Sequence, residues 1–212
     1  MVLVAINLIM FVGQAVSTNI YCPIGLCDED NVDPFTYSFS LVPENAINGG
    51  QFYQFITYMF LHGGSLHLFF NMFVLIMFGG VVEHALGTRR FIILYLVSGM
   101  GSAFLHVALT GVSGVIMLGA SGAVFGLLAA YGFMFPHNKI YIFPIPIPLP
   151  AWIMIIGIAI LEFLLGAYSL DSGVANFGHL GGIITGVLLV YYWKNRKPRD
   201  VNKRRSYEFF WE

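Results

Sequence analysis

The stretch "LGASGAVFGLLAAYGFMFP", residues 118–136, decides how this chain is read. It is apolar enough to lie in a bilayer. Yet near its front end Ser121 stands among Gly119, Ala120 and Gly122, where a helix facing only lipid would carry leucines. A hydroxyl surrounded by missing side chains implies that other polar groups meet this helix at the same depth. The rest of the chain has to supply them.

Composition sets the solvent. Of 212 residues, 58% are hydrophobic and 10% charged, and the mean hydropathy is +0.78. Soluble domains carry about 25% charged residues, so a soluble fold is excluded and a polytopic membrane protein is expected. A bilayer core takes about 20 mostly apolar helical residues. Six spans are expected, at roughly 1–20, 65–85, 90–110, 115–135, 150–170 and 174–193, with Asn7, Gln14 and Ser17 diluting the first. Residues 1–20 lack the basic leading region of a cleavable signal peptide, so none is expected. Residues 21–64 form a long acidic loop whose part "QFYQFITYMFLHGG" suits the membrane interface. The run "FPIPIPLP" (143–150) reads as a loop, because proline removes the amide donor and clashes with the preceding turn.

Charge fixes a direction. All ten Lys and Arg residues fall at Arg89 and Arg90, at Lys139, or from Lys194 onward. With the N-terminus inside, every one of them is cytoplasmic, as the positive-inside rule requires. Residues 1–193 are expected to form one six-span domain, followed by a basic tail, 194–212, anchored at the anionic inner surface. The implied place is a cell membrane, plasma or inner, with both termini cytoplasmic.

Spans two, four and six then all run inward, and their front ends carry His67 and Asn71, Ser121, and His179. Each lies one to two turns in, at about 1.5 Å per residue. Polar groups in spans are costly and face the bundle interior. Gly122 and Gly126 on span four, and Gly182 and Gly186 on span six, are spaced by four, as close helix approach requires. A serine hydroxyl and an imidazole brought together form a nucleophile and its base. The Ser121 amide, Asn71 and His67 are then the donors for a developing oxyanion. No Asp or Glu is expected to orient His179, so the set reads as a dyad, with Phe125 holding the ring by stacking. Taken singly, Ser121 reads as a packing serine and His179 as a buried, satisfied histidine; it is their common register that favours chemistry. His62 and His67 are five apart, not the four of a zinc-hydrolase helix, so no metal is expected. Glu83 reads as structural, His106 as interfacial or packing, and Glu162 as a carboxyl either protonated or hydrogen-bonded inside the bundle. Cys22 and Cys27 are spaced to permit a bridge.

The segments "FLHGGSLHLFFNM", "GGVVEHALGTRRF", "GASGAVFG" and "GHLGGIITG", between Gln51 and Trp193, resemble the rhomboid family of intramembrane serine proteases. The resemblance implies an all-α membrane protein, a six-transmembrane-helix rhomboid-like bundle. It implies Ser121 as nucleophile, His179 as base, Asn71 and His67 at the oxyanion, and no metal or cofactor. Its substrates would be proteins anchored by a transmembrane helix, cut near the span at small residues where the helix is weak. The bilayer is the other partner; no nucleic acid is expected and no oligomeric state is implied. Where many relatives carry Trp-Arg in the external loop, this chain has Tyr53-Gln54. A water-filled cavity is expected to open outside, with span five and the external loops as the gate. The rival readings are a client-binding rhomboid-like protein without proteolysis, which would be expected to lack Ser121 or His179, and a small-molecule transporter, which would spread its polar residues through the membrane.

Overall fold

The structure, a computed structural model, describes residues 2–21, 32–112, 116–142, 145–168 and 176–195. Cys22 and Cys27, Asp171 and nearly all of the basic tail lie outside the described residues. The long helices are α1 (Val2–Tyr21), α5 (Ser65–Leu86), α6 (Thr88–Thr110), α7 (Ser121–Met134), α8 (Ala151–Tyr168) and α9 (Asn176–Asn195). Short helices α2 (Pro34–Phe39), α3 (Pro43–Ile47) and α4 (Gln54–Thr57) fill the loop between α1 and α5. The protein is an all-α membrane bundle, with one small hairpin described below. Its centre is the trio α6, α7 and α9, and α1, α5 and α8 lie around it.

Four of these helices, α1, α5, α6 and α8, are long and apolar enough to cross a membrane by themselves. The two that carry the motifs differ. α7 has 14 residues, about 21 Å at 1.5 Å each, against a hydrocarbon core of about 30 Å. It begins at Ser121, later than the expected 115, because Gly119 takes a φ of 125° that no helix accommodates. A short helix suffices because α7 is shielded from lipid: 11 of its 14 residues are buried. α9 reaches 20 residues but spends its first turn on Asn176, Gly178 and His179.

The central trio is packed by backbone. A Cβ on Gly182 would overlap the carbonyl oxygen of Gly122, and one on Gly186 that of Gly126. The paired glycines thus let α9 press directly on α7, the small-xxx-small logic of membrane helix contacts. A Cβ on Gly122 would meet Ser102 of α6, and one on Gly126 would meet both Ser98 of α6 and the Gly182 carbonyl of α9. The glycine spacing therefore serves two neighbours of α7.

One expectation needs correction. The run 143–150 is not simply a loop: of its described residues, Ile145–Pro150 form β2, which pairs antiparallel with β1 (Lys139–Ile142), with a register shift between Ile140 and Ile142. Proline at every second position makes this possible. Hydrogen-bonding directions alternate along a strand, so the missing amides of Pro146, Pro148 and Pro150 fall on one edge, and Ile145, Ile147 and Leu149 keep their donors on the other. Part of "QFYQFITYMFLHGG" packs into the bundle: Tyr58, Met59 and Leu61 are fully buried. The Tyr58 hydroxyl donates to the Gly99 carbonyl of α6 at 2.7 Å, which plugs this turn into the bundle.

The polar residues of α1 also have partners. Asn7 donates to the hydroxyl of Tyr95 on α6 at 3.4 Å. Gln14 brackets the turn before α5: its amide donates to the His62 carbonyl at 3.2 Å and its oxygen accepts from the His62 amide at 2.9 Å.

Candidate active site

Ser121 is the first residue of α7, where free backbone amides and the positive end of the helix dipole gather. Two contacts fix its approach. The Gly119 amide donates to the Tyr58 carbonyl at 3.0 Å, and Leu41 and Met117 exchange both backbone hydrogen bonds at 2.9 Å. The segment between α1 and α5 is thereby tied to the strand-like lead into the serine.

Across the glycine seam, the imidazole Nε2 of His179 lies 2.9 Å from Ser121 Oγ. Phe125, one turn below the serine, stacks on the His179 ring with centroids 4.4 Å apart and planes 25° from parallel. Backbone contact between α7 and α9 makes the short reach of the serine sufficient. A hydroxyl and a ring nitrogen at this distance are within range of direct proton transfer.

α5 brings the third component. Asn71 is buried, and its side-chain amide donates to the His67 carbonyl at 3.0 Å. That leaves its second N–H for another acceptor. His67 Nδ1 accepts from the Gly63 amide at 3.3 Å. The position a Cβ of Gly119 would take lies 2.9 Å from His67 Nε2 and 3.7 Å from Ser121 Oγ. Gly119 is thus required twice over, by its positive φ and by the His67 ring. The missing side chain leaves one spot flanked by both groups.

His62 packs edge-on against His67, with ring centroids 5.2 Å apart. Burial, and then the neighbouring His67, push the His62 pKa down to about 4, so it is a neutral packing ring at pH 7. Among the described residues no group of three or more His, Cys, Asp or Glu is gathered as a metal ion would require.

The expectation that no carboxylate reaches His179 is overturned. Glu162 Oε2 of α8 lies 3.0 Å from His179 Nδ1 and accepts from the Asn176 side-chain amide at 2.7 Å. The expectation that Glu162 is hydrogen-bonded inside the bundle agrees with this. Asn176 was not singled out in the sequence. The signal for Glu162 was its burial cost in the middle of a span; its partner depends on how α8 is rotated, which an almost uniformly apolar helix does not disclose.

Gln54 is fully buried, accepts from the Val42 amide at 3.0 Å, and donates to the Ser38 carbonyl at 3.3 Å and to Gln51 at 3.0 Å. A neutral amide thus ties three parts of the segment between α1 and α5 together.

Comparison with known proteins places this arrangement in a family context. The model of the rhomboid domain family matches residues 49–196. Over 147 residues the chain is 35% identical to "RHOMBOID-like protein 6, mitochondrial" of Arabidopsis thaliana, covering 69% of this chain and 45% of that one. Over 155 residues it is 36% identical to "Rhomboid protein 1, mitochondrial" of Saccharomyces cerevisiae, covering 69% and 42%. Over 163 residues it is 29% identical to "Putative rhomboid protease YdcA" of Bacillus subtilis, covering 72% and 73%. The match therefore spans less than half the length of the first two relatives and most of the third.

Proposed function

This chain belongs to the rhomboid family, and from that premise we propose that it is an intramembrane serine endopeptidase cutting proteins anchored by a transmembrane helix. The observation that carries the reading is the 2.9 Å contact between Ser121 Oγ and His179 Nε2 across a glycine-lined seam. The names of several relatives as rhomboid proteases support it.

In this reading His179 Nε2 takes the Ser121 proton as Oγ bonds to the scissile carbonyl carbon. The carbonyl oxygen becomes an oxyanion, met by the Ser121 amide at the start of α7 and by the side chains of Asn71 and His67. The spot left open by Gly119 lies between two of these groups. Collapse breaks the C–N bond, and the departing amine takes the proton from Nε2. Water, deprotonated by the same nitrogen, then hydrolyses the serine ester. A helical substrate must unwind first, because its carbonyls are already hydrogen-bonded within the helix. Small or helix-weakening residues at the cut follow from that requirement. Residues 1–193 act as one unit with the basic tail inside and the site opening to the outer face. α8 moves to admit the substrate.

The test is cleavage of a reconstituted single-span substrate by wild type, Ser121→Ala and His179→Ala, together with fluorophosphonate labelling. Both variants should fall to background, a loss on the order of 10⁶ in kcat by analogy with other serine proteases. Labelling should disappear with Ser121→Ala. Wild-type cleavage that survives in either variant overturns the assignment.

A further inference from the structure

Glu162 is a carboxylate inside a membrane-spanning helix, the most expensive kind of side chain to keep there. It is 8% exposed, as is expected of a group facing the bundle. Its neighbours are specific. Asn176 and His179 are separated by three residues, one turn of α9, so both project to the same side of that helix. Between them they bracket one oxygen: Oε2 receives the Asn176 amide at 2.7 Å and lies 3.0 Å from His179 Nδ1.

The Ser121 contact makes this more than packing. For Nε2 to accept the serine proton, the neutral ring must carry its own proton on Nδ1. That N–H is buried with no aligned hydrogen-bond partner, and an orphaned buried donor is costly. Among the described residues the acceptor found at contact distance is Glu162 Oε2, which lies off the ideal N–H direction. Asn176 fixes the carboxylate, and Phe125 limits the ring to sliding and turning in its own plane.

We propose that Glu162 is a positioning residue for His179, selecting the Nδ1-protonated ring through Oε2 and extending the Ser121–His179 pair to a serine–histidine–glutamate relay. The proposal rests on the protease reading and deepens it. It also makes the assembly of the relay depend on α8. The carboxylate belongs to a helix that joins α9 here through side chains, with Gly166 one turn on receiving the ring of Phe177. Withdrawal of α8 would remove the acceptor from His179 while leaving the Ser121 contact in place.

The test compares wild type with Glu162→Gln in proteoliposomes carrying a single-span substrate. Glutamine keeps the shape and an acceptor for Nδ1 but removes the charge. The expected result is a fall in kcat of about 100-fold, the low end of what a positioned proton-transfer group contributes, with KM and the melting temperature unchanged. Fluorophosphonate labelling of Ser121 should slow in step. Nuclear magnetic resonance of selectively labelled wild type should show a strongly deshielded His179 Nδ1 proton, lost in Glu162→Gln. An unchanged kcat, or a fall in kcat that only follows a fall in melting temperature, overturns the proposal. If the variant does not fold, the wild-type resonance decides: a deshielded Nδ1 proton supports the relay, and an ordinary imidazole signal ends it. The two readings fail separately. A wild type that neither cleaves nor labels refutes the protease, whereas an active wild type with an indifferent Glu162→Gln refutes only the relay.

Discussion

α9 is held on two sides by different means. Toward α7 the contact is backbone on backbone: Gly182 and Gly186 press on the carbonyls of Gly122 and Gly126 with no side chain between them. Toward α8 it is made by side chains, such as Asn176 on Glu162 and Phe177 on Gly166. The two partners differ in burial as well. α7 hides 11 of its 14 residues; α8 hides five of 18 and turns Trp152, Ile156, Ile160, Phe163 and Leu164 outward. A backbone seam leaves almost no slack, because main chain cannot adopt another rotamer. A side-chain seam can open and close at the cost of a few contacts. The serine–histidine distance is set at the first kind of seam and the carboxylate is delivered across the second.

The sharpest way to break this distinction is Gly182→Val. The added carbons have nowhere to go but into the Gly122 carbonyl, so the helices must part. Overpacking of this kind costs about 1–3 kcal/mol in ordinary cores, and a shift of about 1 Å at reacting groups costs on the order of 100-fold in rate. Cleavage should drop by at least about 100-fold and the melting temperature should fall. Wild-type rates in this variant would show that the seam is not what sets the distance.

A smaller effect is expected from Phe125→Leu, which removes the face stacked on His179 but leaves both seams intact. Aromatic pairs contribute about 0.5–1.5 kcal/mol beyond burial. That corresponds to a kcat loss of roughly 10-fold or less, read from steady-state kinetics at constant KM. The smallest effect belongs to Gly157→Ala on α8, where an added Cβ meets nothing within 4 Å. Stability should stay within about 0.5 kcal/mol, and the cleavage rate should not change. A loss like that of Gly182→Val would erase the contrast between the seams.

Much of this was open to reading in the sequence because bilayers impose few choices. Hydropathy located the helices, and glycines four apart announced a close crossing. What escaped reading depended on rotation and local backbone. Gly119 ends the extended lead into α7 with a positive φ, so the helix starts at the serine itself, whereas an apolar run such as 115–135 marks no such break. The alternating prolines of β2 remove donors, which argues against a helix but does not reveal that the remaining donors line one edge. Glu162 and His179 are joined only by the azimuth of α8, and an apolar helix with one carboxylate says that it points inward without saying at what.

The pair of hydrogen bonds from Gln14 to the main chain of His62 reaches beyond the family-matched segment, which begins at residue 49. A protein trimmed to that segment would lose the latch that closes the turn leading to His67. Both His62 main-chain groups would be left to find water or go unmet. The first helix, which lies outside the family-matched segment, is therefore a brace for the turn that leads to His67, and its removal should loosen His67 before it disturbs the serine.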